Sequence, residues 1–123
     1  MATPSYRERM KAARAEARAK QGNIGGAQAD LNVIRKRAGL PSTTAATQSA
    51  LITAIIHERQ TELFTEWGHR WLDLKRIGMV DAVMSIVTPQ KGGNWNSNWQ
   101  LYPLFSFDLI NNTTLANQQN PGY

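Results

Sequence analysis

Three carboxylates, Glu58, Glu62 and Glu66, stand four residues apart in the 123-residue chain and so share one side of a helix, with Arg59 beside them. Paired carboxylates do acid–base chemistry when burial drives their pKa values apart. An equal number of nearby cations supports a different reading. Arg59, Arg70 and Arg76 can pair with Glu62, Glu66 and Asp73 in a structural ion-pair network, and Glu58 belongs to the same face. That network is the expectation, and no residue is assigned a catalytic role. Nucleophilic catalysis has no G-x-S-x-G or comparable pattern to rest on, and Gly25-Gly26 and Gly92-Gly93 are isolated pairs that read as turns.

His57 and His69 are the two imidazoles, and their separation matches no helical ligand spacing. With no cysteine in the chain, thiolate ligands and disulfides are excluded. No metal and no cofactor are expected. The most ligand-like stretch is Gly92–Trp99, where Trp95 and Trp99 are interleaved with Asn94 and Asn98. Sugars stack their apolar C–H faces on such rings, and amides reach their hydroxyls. The competing reading is that both rings plug the space under an irregular tail.

These residues must be held by something, and the composition bounds it. A hydrophobic fraction of 41% with four Trp is enough apolar surface to offset the entropy of ordering, and the length fits one domain over residues 1–123. No apolar run reaches the about 20 residues of a membrane span, and Met1-Ala2-Thr3-Pro4 lacks the pattern of a signal peptide, so the chain reads as soluble and untargeted. The formal charge of +5 gathers at Arg7, Arg9, Lys11, Arg14, Arg18 and Lys20. Glu8 and Glu16 interrupt that run and no aromatic is interleaved, which favours a solvated helix face over a nucleic-acid surface.

The pattern is helical. Ser5–Gln21 is rich in Ala, Arg, Lys and Glu and stops at Gly22-Asn23. Ala27, Leu31 and Ile34 mark a second helix closed by Gly39, and the two make an αα-hairpin of tetratricopeptide type. A third helix, capped by Thr47 or Ser49, carries Leu51, Ile52, Ile55, Ile56, Leu63, Phe64 and Trp67 on one face and runs to Trp67. Beyond the break at Gly68, His69–Arg76 forms a short helix, with Trp67 and Trp71 as core anchors flanking the break; another turn or two covers Val80 to Met84. The reading is an all-α fold of about four helices over residues 5–87, followed by an irregular tail over 88–123. Trp95, Trp99, Leu101, Tyr102, Phe105, Phe107 and Leu109 must hold that tail.

Five segments in order resemble the C-terminal region of the SusD/RagB family: Ala15–Asn23, Leu31–Arg35 with Arg37–Leu40, Ile55–Leu63, Gly68–Arg76 and Asn120-Pro121-Gly122-Tyr123. The resemblance implies part of a longer, mostly helical, lipid-anchored outer-membrane protein. Such a protein captures glycans or other nutrients and lids a TonB-dependent transporter, without catalysis. It also implies that Glu58, Arg59, Glu62, Glu66, Arg70, Asp73 and Arg76 are a structural signature. Two departures stand out. Arg9, Lys11, Ala12 and Ala13 replace the apolar residues usual before Ala15, and Phe105 stands where the family has a second proline after Pro103. The first departure suits an excised, surface-adapted fragment, natural or engineered. The alternative is therefore an autonomous or engineered helical scaffold without glycan affinity, and the alanine stripe of the first helix is a candidate for self-association.

Overall fold

The computed structural model describes residues 6–123. Residues 1–5, with the start of the first helix and the reading of Met1–Pro4, lie outside the described residues, as do the side chains of Arg7 and Glu8. The described chain is all-helical: α1 Tyr6–Lys20, α2 Ile24–Arg37, α3 Gln48–Glu62, α4 His69–Arg76, α5 Val80–Gln90, a 3-10 turn Ser97–Gln100 and α6 Ser106–Asn111. It forms two compact units, Met1–Arg70 and Trp71–Tyr123.

The first unit grows from the hairpin that the Gly-Asn turn predicts. Gly22 takes φ +77°, and Asn23 caps α2 by accepting from the Gly26 amide at 3.0 Å. A Cβ on Gly26 would lie 2.7 Å from the Asn23 side-chain oxygen, so a larger residue there would push the capping side chain aside. Thr47 caps α3 through the Ala50 amide, one of the two capping residues the sequence offered. The core is Ala15, Ala19, Ala27, Leu31, Leu51 and Ile55. Alanines at the crossing let the helix axes approach closely while the larger Leu and Ile side chains fill the remaining space. Gln48 fastens α3 to the end of α1 by donating to the Ala19 and Lys20 carbonyls at 2.9 Å each. Gln28 and Asn32 of α2 hold the linker at Ala45 and Thr43. Because Ala12, Ala15 and Ala19 are buried in this unit, the alanine stripe proposed for self-association already has an internal partner.

The end of α3 corrects the sequence reading. The helix stops at Glu62, not at Trp67, and a turn follows in which Thr65 and Trp67 take positive φ values of 65° and 44°. Once the 3.6-residue period ends, its face no longer predicts burial. Leu63 is 5% exposed, but Phe64 is 75% and Trp67 88% exposed, so Trp67 is not a core anchor.

In the second unit Leu74 and Val80 are buried, and α5 runs six residues past the expected Met84, taking in Pro89 in its last turn. Pro at that end forfeits one backbone hydrogen bond and little else. The tail is irregular except for the 3-10 turn and α6, two short pieces whose few residues carry too little periodic signal to be read in advance.

The last five residues fold back onto residues 98–104. Gln119 exchanges side-chain hydrogen bonds with the Leu104 amide and carbonyl, Asn120 donates to the Tyr102 carbonyl at 2.6 Å, and the Tyr123 hydroxyl donates to the Leu101 carbonyl at 2.9 Å. Side-chain amides thus satisfy a backbone stretch that no strand or helix serves.

Candidate functional site

Glu58 and Glu62 of α3 are ion-paired to the helices before it, and so is Glu66, which lies in the turn after α3 rather than on the shared helix side that the spacing predicts. Arg35 of α2 donates to Glu58 at 2.9 Å, and its Nε donates to the Pro41 carbonyl at 2.8 Å. Arg37 pairs with Glu62, and Arg9 of α1 reaches Glu66 at 3.4 Å. Glu58 is 3% exposed and therefore needs the partner it has. In the second unit Asp73 pairs with Arg76 at 2.9 Å. The linear spacing pointed to arginines on this stretch as partners of Glu62, Glu66 and Asp73; Asp73 takes Arg76, while Glu62 and Glu66 have among their partners Arg37 and Arg9 of the preceding helices, which the spacing does not suggest. Arg70 lies half-buried on the first turn of α4 and belongs to none of these pairs. Arg59 lines a shallow depression, open to solvent, with Arg9, Ala12, Ile34, Glu58, Glu62 and Leu63.

The basic face of α1 is solvent-exposed at Arg14 and Lys20 and also carries ion pairs within the unit. Arg14 grips Asp30 of α2 with Nε at 2.8 Å and with Nη2, and Arg18 donates to the same carboxylate at 2.8 Å. Asp30 is 3% exposed. The Arg14 hydrogen bonds hold its carboxyl below the usual range against the opposing effect of burial, and the same contact raises Arg14. Lys20 pairs with Glu16. Arg9, Arg14, Arg18 and Lys20 are thereby committed within the fold.

Trp95 and Trp99 lie in an aromatic group of the second unit. Trp95 meets Trp99 edge to face, with centroids 6.2 Å apart and planes at 84°, and meets Trp71 likewise at 6.3 Å and 73°. Tyr102 tilts against Trp71 at 6.4 Å. Asp81, in the first turn of α5, accepts from Trp95 Nε1 at 2.7 Å and from Gln100 Nε2 at 2.8 Å. Trp95 is half-buried, while Trp99 is 39% and Tyr102 64% exposed. Asn94 and Asn98 are exposed, and the Asn98 side chain packs where a Cβ on Gly122 would come within 2.9 Å. The edge-to-face arrangement leaves Trp99 and Tyr102, at its two ends, as the open rings. Trp71 Nε1 is buried without a hydrogen-bond partner among the described residues.

Sequence reasoning named Tyr102 with Trp95 and Trp99 among the side chains holding the tail, but missed Asp81, Gln100 and Lys75 as parts of this group. The Lys75 ammonium lies 4.9 Å from the Tyr102 centroid and 5.7 Å from that of Trp71. The i, i+4 spacing of Trp71 and Lys75 on one helix was a usable signal. The Asp81 bonds cross 14 and 19 residues, over most of α5 and the loop beyond it, and left none.

Chemically, the group offers exposed rings, side-chain amides and one ammonium, which suits binding. Among the described residues no group of three or more His, Cys, Asp and Glu gathers as a metal site, and no helix is long and apolar enough to cross a membrane.

The structure of a SusD-like protein from Bacteroides fragilis NCTC 9343 is similar to this one, with a TM-score of 0.77 and 26% sequence identity over 94% of the chain. The chain spans 25% of that protein's length. No curated protein matches. The model of the SusD family matches residues 13–123, taking in both units from the middle of α1 to the C-terminal Tyr123, and the chain belongs to the SusD family.

Proposed function

We propose that this chain is part of a non-enzymatic nutrient-capture protein of the outer membrane, one that binds a glycan and works with a TonB-dependent transporter. The observation that carries the reading is the family match over residues 13–123, joined to a backbone that follows a SusD-like structure over 94% of the chain. Arginines from α1 and α2 holding Glu58, Glu62 and Glu66 fit a structural role for those carboxylates, and hence binding without catalysis.

Within this chain the glycan-contacting surface is the loop of Asn94, Trp95, Asn98 and Trp99, with Trp99 as its open ring. Trp95 orients that ring from below, its own polar edge being tied to Asp81. A titration of the purified chain against a glycan panel, following tryptophan emission and thermal stability together, tests this. Saturable quenching that Trp99→Ala abolishes, with the melt unchanged in the variant, is the expected result. A cooperative melt indifferent to every sugar would sink it.

The second reading, a helical scaffold without glycan affinity, is favoured by one observation: the rings of Trp71, Trp95 and Trp99 close on one another edge to face, as in a small core. It predicts that indifferent melt.

A further inference from the structure

The geometry points to an anionic, carboxylate- or sulfate-bearing, oligosaccharide as the ligand of the aromatic surface, selected by the Lys75 ammonium beside the Tyr102 ring. This inference rests on the glycan-binding reading above and names its substrate class.

Three observations carry it. The first is placement. Lys75 follows Trp71 by one helical turn on α4, so its ammonium returns over the indole at 5.7 Å, and it meets Tyr102 at 4.9 Å. Tyr102 is held there by the Asn120 side chain on its carbonyl. The second is charge. A ring attracts a cation through its quadrupole but does not neutralise it, so the ammonium keeps its full charge and its three donors. Among the described residues Lys75 has no carboxylate partner. The acids of its own unit nearest in sequence are engaged elsewhere: Asp73 with Arg76, and Asp81 with Trp95 and Gln100 through both its oxygens. The third is access. Tyr102 is 64% exposed and Lys75 half-buried, so a sugar ring laid on the open part of Tyr102 brings its ring substituents to the ammonium.

A neutral sugar in that position gains stacking alone. A uronate or sulfate ester gains stacking and a charge-assisted hydrogen bond. The resulting discrimination is about fivefold, the scale of one half-exposed ion pair, and salt screens it.

The test is a titration of the chain and of Lys75→Met, which keeps the apolar stem, with an oligouronate, a sulfated oligosaccharide and the neutral counterpart of each, at low and high salt. The expected result is a preference of about fivefold for at least one anionic series, lost in the variant and in high salt, with neutral affinity unchanged. An oligouronate preference alone identifies the carboxylate, and a sulfated preference alone the sulfate. Equal affinity for charged and neutral sugars, or a preference that survives Lys75→Met, overturns this inference while leaving glycan capture standing. Binding of none of them overturns both.

Discussion

The indole Nε1 of Trp95 donates to Asp81 Oδ1 at 2.7 Å, so a carboxylate on the first turn of α5 sets the orientation of the central ring in the aromatic group. The second oxygen of that carboxylate takes Gln100 Nε2 at 2.8 Å. One side chain thus fastens both ends of the segment that carries Trp99.

Asp81→Ala removes the acceptor for both donors. The expected loss is about 1–3 kcal/mol, the cost of leaving half-buried donors unserved, with a red shift of tryptophan emission as the loop loosens. Asp81→Asn retains one carbonyl oxygen and should fall between wild type and Asp81→Ala. Urea unfolding followed by fluorescence checks the order.

Asp30 gives the fold an acid-sensitive clasp. Its carboxyl is held below the ordinary value of 3.8 by the Arg14 hydrogen bonds first, with further help from the Arg14 and Arg18 charges. A lowered folded-state pKa means that the stabilisation is full above that ordinary value and is lost as pH falls through the folded one. Thermal melts from pH 7 down to pH 2 should therefore show a steeper loss below about pH 4 in wild type than in Asp30→Ala, which lacks the clasp. Parallel curves for the two proteins would remove Asp30 from the account.

Ala12 lines the shallow pocket together with Ile34, Leu63, Arg9 and Arg59. Ala12→Met puts an unbranched helix former into that space. It should add about 1 kcal/mol, seen as a rise of several degrees in Tm. A lower Tm would mean that the pocket does not accept the side chain.

Gly122 has φ +93°, and a Cβ there would come 2.9 Å from that of Asn98. Gly122→Ala combines backbone strain with a clash against a side chain that has little room to yield. It should release the C-terminal fold-back at a cost of about 1–3 kcal/mol and speed amide exchange over residues 98–104. Unchanged exchange there would show that Gln119 and Asn120 suffice without the last two residues.

The helices were legible where their signals are local. The turn at Gly22-Asn23, the cap at Thr47 and the 3.6-residue recurrence of Leu51 and Ile55 each lie within a few residues of what they determine. Legibility failed at the end of α3, because the apolar residues 63, 64 and 67 continue the helical period after the backbone has left it. It failed again in the tail, where one six-residue helix is too short for a period to declare itself.

For the candidate site, residue types declared the aromatic and amide stretch of residues 94–99, and ordered segments declared the family. The i, i+4 rule also contained the Trp71–Lys75 pair. What the sequence by itself determined is therefore the local set: helices, caps, turn glycines and the kinds of group available for binding. Partner choice was decided by the tertiary structure alone. Arg37 with Glu62, Arg14 with Asp30 and Trp95 with Asp81 are separated by 25, 16 and 14 residues. A charge or an indole N–H carries no sequence label for its acceptor; only packing fixes which one comes within hydrogen-bonding distance.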